Sequence, residues 1–342
     1  MANAAPLSVV GEPSLVLGVL SAPTHVARRD WIRKHTRWPP RLAVVMRFVL
    51  GHAQDMHERG CLSLGPPAAC RESIAADEDE AVKHGDILLL DVDDDARSGD
   101  NRLHRRSFGT FPSKSLAWYT FAVRAYPRAA FVAKADDDSW IGVPAVEALL
   151  QRLSTLPDSP RHVLAGWLQY ASFVRTRSTP TVCGWAPVAR DAAKSVLDPQ
   201  SNCYRGLQGP LNTSQSDVRG PYPFVAGPFE LISGPLARLV FFSRWTAAFA
   251  SALSEQFARV EERVRKGRTS RATDHRLAHG EDAIVGHVIH VSHPHIQARF
   301  ACGAHLTFML TARMCCVDRS TLAGCRALSL SCSTAPRTRG HS

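Results

Sequence analysis

Ala130-Phe131-Val132-Ala133-Lys134-Ala135-Asp136-Asp137-Asp138 is the stretch whose reading decides the fold. The apolar run 130–133 reads as a buried parallel strand. One lysine, Lys134, follows it, and then three consecutive aspartates. A strand that ends in clustered carboxylates delivers negative charge to the carboxyl edge of a sheet. That edge is where open α/β sheets bind their ligands. Three adjacent like charges are costly unless something positive sits among them. A hard divalent cation, Mn²⁺ or Mg²⁺, takes oxygen ligands and bridges to substrate phosphates. The triplet therefore suggests a metal–diphosphate site. The competing reading is a solvated acidic turn, since charge runs are mostly loops.

The rest of the chain repeats the pattern around that strand. Apolar runs recur at Leu15–Leu20, Leu42–Leu50, Ile87–Leu90 and Val163–Trp167. Between them lie segments with helical spacing. Trp118, Phe121, Ala122 and Ala125 make one face of Lys114–Tyr126, and Val146, Leu149, Leu150 and Leu153 one face of Pro144–Leu153. Pro144 suits a first helical turn. Alternating strands and helices imply a mostly parallel sheet covered on both faces. From Ala171 to Pro223 the chain is rich in Pro, Ser, Thr and Gly and reads as loops and short strands. Leu236–Leu253 reads as one long helix. Glu261–Arg276 is highly charged and reads as a solvated stretch. Beyond Met314 the pattern fades into Cys, Ser and Arg.

With 342 residues the chain has room for one large α/β domain or two smaller ones. Its formal charge of +10 would suit nucleic acid, an anionic membrane surface or a phosphorylated ligand. The arginines are scattered apart from Arg263, Arg265, Lys266, Arg268 and Arg271, with no aromatic-interleaved basic patch, so no nucleic-acid partner is expected. None of the nine cysteines forms a CxxC pair, which argues against a zinc ribbon or a thioredoxin-type site. Cys61/Cys70 and Cys183/Cys203 are candidate local disulfides, and Asn212-Thr213-Ser214 is a glycosylation sequon. Together they lean towards an oxidising compartment. The apolar stretch Leu15 to Ala22 is too short to span a bilayer and lacks a charged leader.

Three further constellations carry weaker signals. Asp91, Asp93 and Asp95 resemble the start of a calcium loop. Its sixth position is Ala96, where glycine is needed, and its twelfth is Arg102, where a bidentate glutamate is needed. Calcium is therefore rejected, and the stretch reads as a loop after Ile87–Leu90. His287, His290, His293 and His295 are dense, with His305 further on, but they lack the thiolates or fixed pair spacing of a structural zinc site. One of them could complete a metal site begun at Asp138. Glu281-Asp282 precedes an apolar helical run, Ala283 to Gly286. Such a carboxylate is either a helix cap or a general base held at the edge of a site.

Taken in order, these segments resemble the β-1,3-galactosyltransferase-like family of inverting glycosyltransferases. That family includes β-1,3-N-acetylglucosaminyltransferases and is related to the fringe enzymes. The likeness runs through Arg28-Arg29, Trp31-Ile32-Arg33-Lys34-His35-Thr36-Arg37-Trp38, Phe48-Val49-Leu50-Gly51 and Gly85-Asp86-Ile87-Leu88-Leu89-Leu90-Asp91. It continues through Lys114, Lys134-Ala135-Asp136-Asp137-Asp138, Tyr222-Pro223-Phe224-Val225-Ala226-Gly227 with Ser233, and Glu281-Asp282-Ala283-Ile284-Val285-Gly286. Residues 14 to 290 are covered. Each motif is short, and their shared order carries the resemblance. The chain departs from the family pattern in an extra Lys34-His35 before Thr36, and in Phe224 and Glu230 where tyrosines are usual.

The resemblance implies one α/β nucleotide-diphospho-sugar transferase domain (GT-A, Rossmann-like) over 14–310, with a mostly parallel central sheet. Residues 14–140 would form its nucleotide-sugar half and 141–310 its acceptor half. Residues 1–13 would be an N-terminal segment and 311–342 a tail. It implies a hexosyltransferase that uses a UDP-sugar donor and Mn²⁺ to move galactose or N-acetylhexosamine onto a glycan or glycoprotein acceptor. Asp138 would be the metal ligand, with His305, or else His295, completing the site. Asp136 and Asp137 would lie near the nucleotide, with Lys114 matching the family's helix lysine. Arg29 or Arg33 could offer a fork of donors to phosphate or uracil. Asp282 would be the catalytic base. The implied location is the Golgi lumen, on a membrane anchor absent from this chain. Two other readings stay open. A metal-dependent nucleotidyltransferase would want a second strand-borne metal carboxylate. A pseudoenzyme or glycan-binding module would show a degraded triplet or no base.

Overall fold

The computed structural model describes residues 12–53 apart from 24, then 79–94, 111–154, 162–175, 180–197, 218–244, 246–251, 281–292 and 299–301, with the single positions 255 and 266. The elements in chain order are β1 (Leu15–Leu20), α1 (Val26–His35), β2 (Val44–Ala53), β3 (Ile87–Asp94), α2 (Phe111–Ala125), β4 (Phe131–Asp136) and α3 (Val143–Ser154). There follow β5 (Val163–Arg175), β6 (Pro180–Ala186), α4 (Ala189–Leu197), β7 (Val218–Ser233), α5 (Gly234–Phe241), α6 (Glu281–Ser292) and β8 (Arg299–Ala301). The strands form one mixed sheet in the order β3-β2-β1-β4-β7-β5-β6, with β8 beside β5. β3, β2, β1 and β4 run parallel. β7 is antiparallel to both β4 and β5.

This order puts a topological switch at β1. The chain winds outward from β1 to β2 and β3, then crosses to the other flank of β1 as β4. The crevice outside the carboxyl ends of two such strands is where open α/β sheets take ligands. The sequence needs no special device to build the centre. Every residue of β1 is buried, as a strand covered on both faces requires.

Alternation along the strands assigns the two faces. Leu15, Leu17, Val19, Ala133 and Ala135 pack with Ile32 of α1 and with Val146, Leu149, Leu150 and Leu153 of α3. Val16, Leu20 and Val132 pack with Trp118 and Tyr119 of α2, with Leu236 and Val240 of α5, and with Val285 and Val288 of α6. Lys134 belongs to that second face, two residues along from Val132. α2 approaches closely because Gly18 has no side chain. A Cβ there would overlap the indole of Trp118, whose Nε1 donates to the Ala133 carbonyl at 3.0 Å.

Several elements differ from expectation. β3 continues through Asp94, so Asp91 and Asp93 lie in a strand and not in a loop. The segment read as loops and short strands contains the end of β5, the strand β6, the helix α4 and the start of β7. The expected single helix Leu236–Leu253 is interrupted after Phe241. Ser243 Oγ accepts from the Thr246 amide at 3.1 Å, so it caps a new helical stretch at 246–251. One sheet takes strands from both the 14–140 and the 141–310 halves. Residues 1–11 and the tail 311–342 lie outside the described residues. Among the described residues no helix is long and apolar enough to cross a membrane.

Overpacking a close helix–strand contact costs about 1–3 kcal/mol. Gly18→Ala is expected to lower the unfolding free energy by that much, read as a lower urea midpoint, since Trp118 must move off the sheet. An unchanged midpoint would mean that α2 does not sit on β1 at this distance.

Candidate functional site

The triplet follows β4 and meets the end of β1. Asp136 is the last residue of β4 and pairs with Leu20, while Asp137 and Asp138 form the turn beyond it. The Asp137 amide donates to the Leu20 carbonyl at 3.2 Å, which fixes the turn against β1. The three carboxylates then part company. Asp136 is half-buried, Asp137 is buried and Asp138 is exposed.

Asp137 is engaged within the fold. Ser21 Oγ donates to its Oδ2 at 2.7 Å, His25 Nδ1 lies 2.7 Å from Oδ2, and Arg28 donates to Oδ1 at 2.7 Å. Burial would raise its carboxyl, but His25, Ser21 and Arg28 outweigh burial and hold it below the ordinary aspartate value of 3.8. Asp137 thus ties β4 to the entry of α1, in place of the nucleotide contact expected of it. Among the described residues Asp138 takes one long contact, from Ser139 Oγ at 3.5 Å.

Arg29 has a comparable inward role. It is fully buried, and its five N–H groups reach five acceptors. Nε and one terminal nitrogen donate to Glu80 at 3.0 and 2.6 Å. The remaining N–H groups donate to Ser21 Oγ at 3.1 Å, the Ala22 carbonyl at 2.5 Å and the Pro23 carbonyl at 3.1 Å. A guanidinium carries five donors, so this one has none left for phosphate or uracil. Arg33 pairs bidentately with Asp86 at 2.8 and 2.8 Å, and also reaches Glu80 at 2.7 Å and Asp30 at 2.9 Å. It lies over the Phe48 ring, 4.7 Å from its centroid. Burial would lower the Arg33 guanidinium, but Asp86 and Glu80 raise it further above its ordinary value. Both arginines hold α1 to the sheet and to Glu80. Neither offers the free fork expected of them. Lys114 on α2 is buried and donates to the Ser21 carbonyl at 2.9 Å, so it converges on the same end of β1.

The second carboxylate constellation arrives from far along the chain. Asp282 is the second residue of α6, and its Oδ1 lies 2.7 Å from Lys134 Nζ. Lys134 is 1% exposed and Asp282 15% exposed. Directly across the sheet from Lys134 stands Glu230 of β7, also buried. Opposite charges in such a pair face each other on one side of the sheet. Asp136, two residues beyond Lys134, projects from that same face about 7 Å further along. α6 reaches this position by close packing on β7. A Cβ on Gly286 would overlap Phe224. His290 stacks on Tyr222 with centroids 5.0 Å apart, and its Nε2 lies 3.2 Å from the Pro223 carbonyl. His287 is buried against the same helix face. These two histidines pack α6 in place. His293, His295 and His305 lie outside the described residues, as do Asn212, Cys61, Cys70 and Cys203.

The sequence reading passed over Ser21, His25, Glu80 and the roles of Lys134 and Glu230. One signal was available: Lys134 and Glu230 are lone charges inside apolar strands, and buried charges come in pairs. No family model matches the chain, and no curated protein matches it either. Among the described residues no group of three or more His, Cys, Asp or Glu side chains is gathered to hold a metal ion.

The depressed Asp137 carboxyl sets a pH dependence. A carboxylate whose folded value lies below its unfolded one stabilises fully above the unfolded value, and that contribution disappears as pH falls through the folded value. Glu80, also lowered by Arg29 and Arg33 against the cost of burial, acts with the same sign. Urea stability is therefore expected to decline as pH drops from about 4, and more gently in Asp137→Asn. Parallel profiles for the two proteins would remove Asp137 from the acid response.

Proposed function

We propose that the chain is an inverting UDP-sugar-dependent hexosyltransferase of the GT-A type, moving galactose or N-acetylhexosamine to a glycan hydroxyl. The observation that carries this reading is the approach of Asp282 to the strand bearing the acidic triplet, through its 2.7 Å contact with Lys134. In this reading two carboxylate groups divide the task, one where β4 ends beside its parallel neighbour β1 and one at the start of α6. Inverting transfer asks for that division. One group meets the donor diphosphate and the other meets the acceptor.

The residues fit a divalent cation by their donor chemistry. The inward turn of Asp137 leaves Asp136 and Asp138 as the triplet's carboxylates towards the edge, and carboxylate oxygens suit Mn²⁺ or Mg²⁺. Asp138 would hold the ion, with Asp136 beside the nucleotide. Bound there, it would neutralise charge on the departing diphosphate as a Lewis acid. The chain's own work is at the acceptor. Asp282 takes the proton of the acceptor hydroxyl as its oxygen bonds to the anomeric carbon. The bond from that carbon to the UDP oxygen breaks on the opposite face, its electron pair leaves with UDP, and the configuration inverts. Lys114, beneath Ser21, adds positive charge to the donor side. The proposed setting is the Golgi lumen, in keeping with the sequon and the cysteine content. A membrane anchor would hold the protein there.

A screen of UDP-sugars with Mn²⁺, scored by UDP release with and without glycan acceptors, tests the reading. One donor is expected to be turned over, and chelator should abolish the signal. Asp138→Ala should weaken Mn²⁺-dependent UDP binding in calorimetry. Asp282→Asn should keep that binding and lose about a hundred- to ten-thousand-fold in turnover. Asparagine keeps the shape of aspartate but cannot take the proton, so near-wild-type turnover in a folded Asp282→Asn protein would remove Asp282 from the mechanism.

A further inference from the structure

Lys134 is a cation in the middle of the sheet, and the groups around it enclose it. Gly18 is its register partner on β1, and Gly166 is the partner of Glu230 on β5. Trp118 fills the space over Gly18, and Val225 fills the space over Gly166. The Lys134 and Glu230 side chains therefore lie in a walled slot. An ammonium in such a place is tolerated only beside anions. Its contact with Asp282 is also a cross-chain tether, because it joins β4 to the first turn of α6 across 148 positions of sequence.

We propose that Lys134 is the positioning residue of Asp282, a buried cation whose contact holds the first turn of α6 at the level of the acidic triplet. The proposal rests on the transferase reading above.

The test uses the full chain. Lys134→Met alone would leave the buried Glu230 carboxyl group beside an apolar side chain, so the variant is the double substitution Lys134→Met/Glu230→Gln. UDP affinity with Mn²⁺, donor KM and kcat are measured for it, for the wild type, for Asp282→Asn and for the triple variant. A misplacement of about 1 Å costs on the order of a hundredfold in rate. The expected result is unchanged UDP affinity and donor KM, kcat down by about that factor, and no further loss when the same change is made in Asp282→Asn. Loss of UDP binding, an unchanged kcat, or an equal fractional loss in both backgrounds would overturn the positioning role. An active wild type with an indifferent double variant removes Lys134 alone. A wild type that turns over no UDP-sugar overturns the transferase reading and this inference with it.

Discussion

A carboxylate buried where two parallel strands end has to be met by donors, and Asp137 is met by three. Ser21 belongs to the residue pair just beyond β1, His25 to the position before α1, and Arg28 to the first turn of that helix. One side chain thus fixes the separation of β1 and β4 at their carboxyl ends and sets where α1 begins. Arg29 extends the same arrangement. Its guanidinium reaches Ser21, the two following carbonyls and Glu80, so the β1–α1 connection has little freedom to rearrange. Removing a single partner from such a buried set costs about 3–5 kcal/mol, because the other charge stays behind unmatched. The crevice at the switch point is therefore bounded by a charged framework whose members mostly bond to one another.

That framework explains why the three aspartates differ although the sequence repeats. Strand geometry sends successive side chains to opposite faces. Asp136, still in β4, follows Lys134 and points to the side of α2 and α6. Asp137, at the turn, points towards α1 and is captured there. Asp138 lies beyond the last ladder bond and reaches solvent. A triplet costs little in like-charge repulsion when its middle member is matched by cations and its outer members diverge.

The strands were legible because burial writes itself into composition. Leu15–Leu20 is expected and found with the same bounds, and the helices at Lys114–Tyr126 and Pro144–Leu153 differ from α2 and α3 by a few terminal residues. Elements whose pattern depends on distant partners were harder. The start of β7 was read with the loops because Gly220, Pro221 and Pro223 interrupt it, yet the strand is held between β4 and β5 on both edges. The Leu236–Leu253 periodicity hides a break because Ser243 caps locally without disturbing the apolar spacing. At the site, residue type was readable and partnership was not. Arg29 and Arg33 read as free forks because nothing near them in sequence predicts Glu80 or Asp86 as their acceptors.

Lys134 illustrates the remaining step from fold to chemistry. A strand lysine among Val132, Ala133 and Ala135 is a poor choice for stability alone, since a hydrophobic residue of similar volume is often neutral or better there. Its presence makes sense with the Asp282 carboxylate that meets it from α6 at 2.7 Å. The cation therefore couples β4 to α6, which the apolar core already brings together, and it adds what the core cannot. Apolar contacts such as Val285 and Val288 on the sheet press α6 down, but they are non-directional. A charge-assisted hydrogen bond of 2.7 Å specifies which residue of α6 stands over β4. That residue is a carboxylate at the border of solvent, on the same face as Asp136. The buried charge thus converts a packed helix end into a defined chemical position.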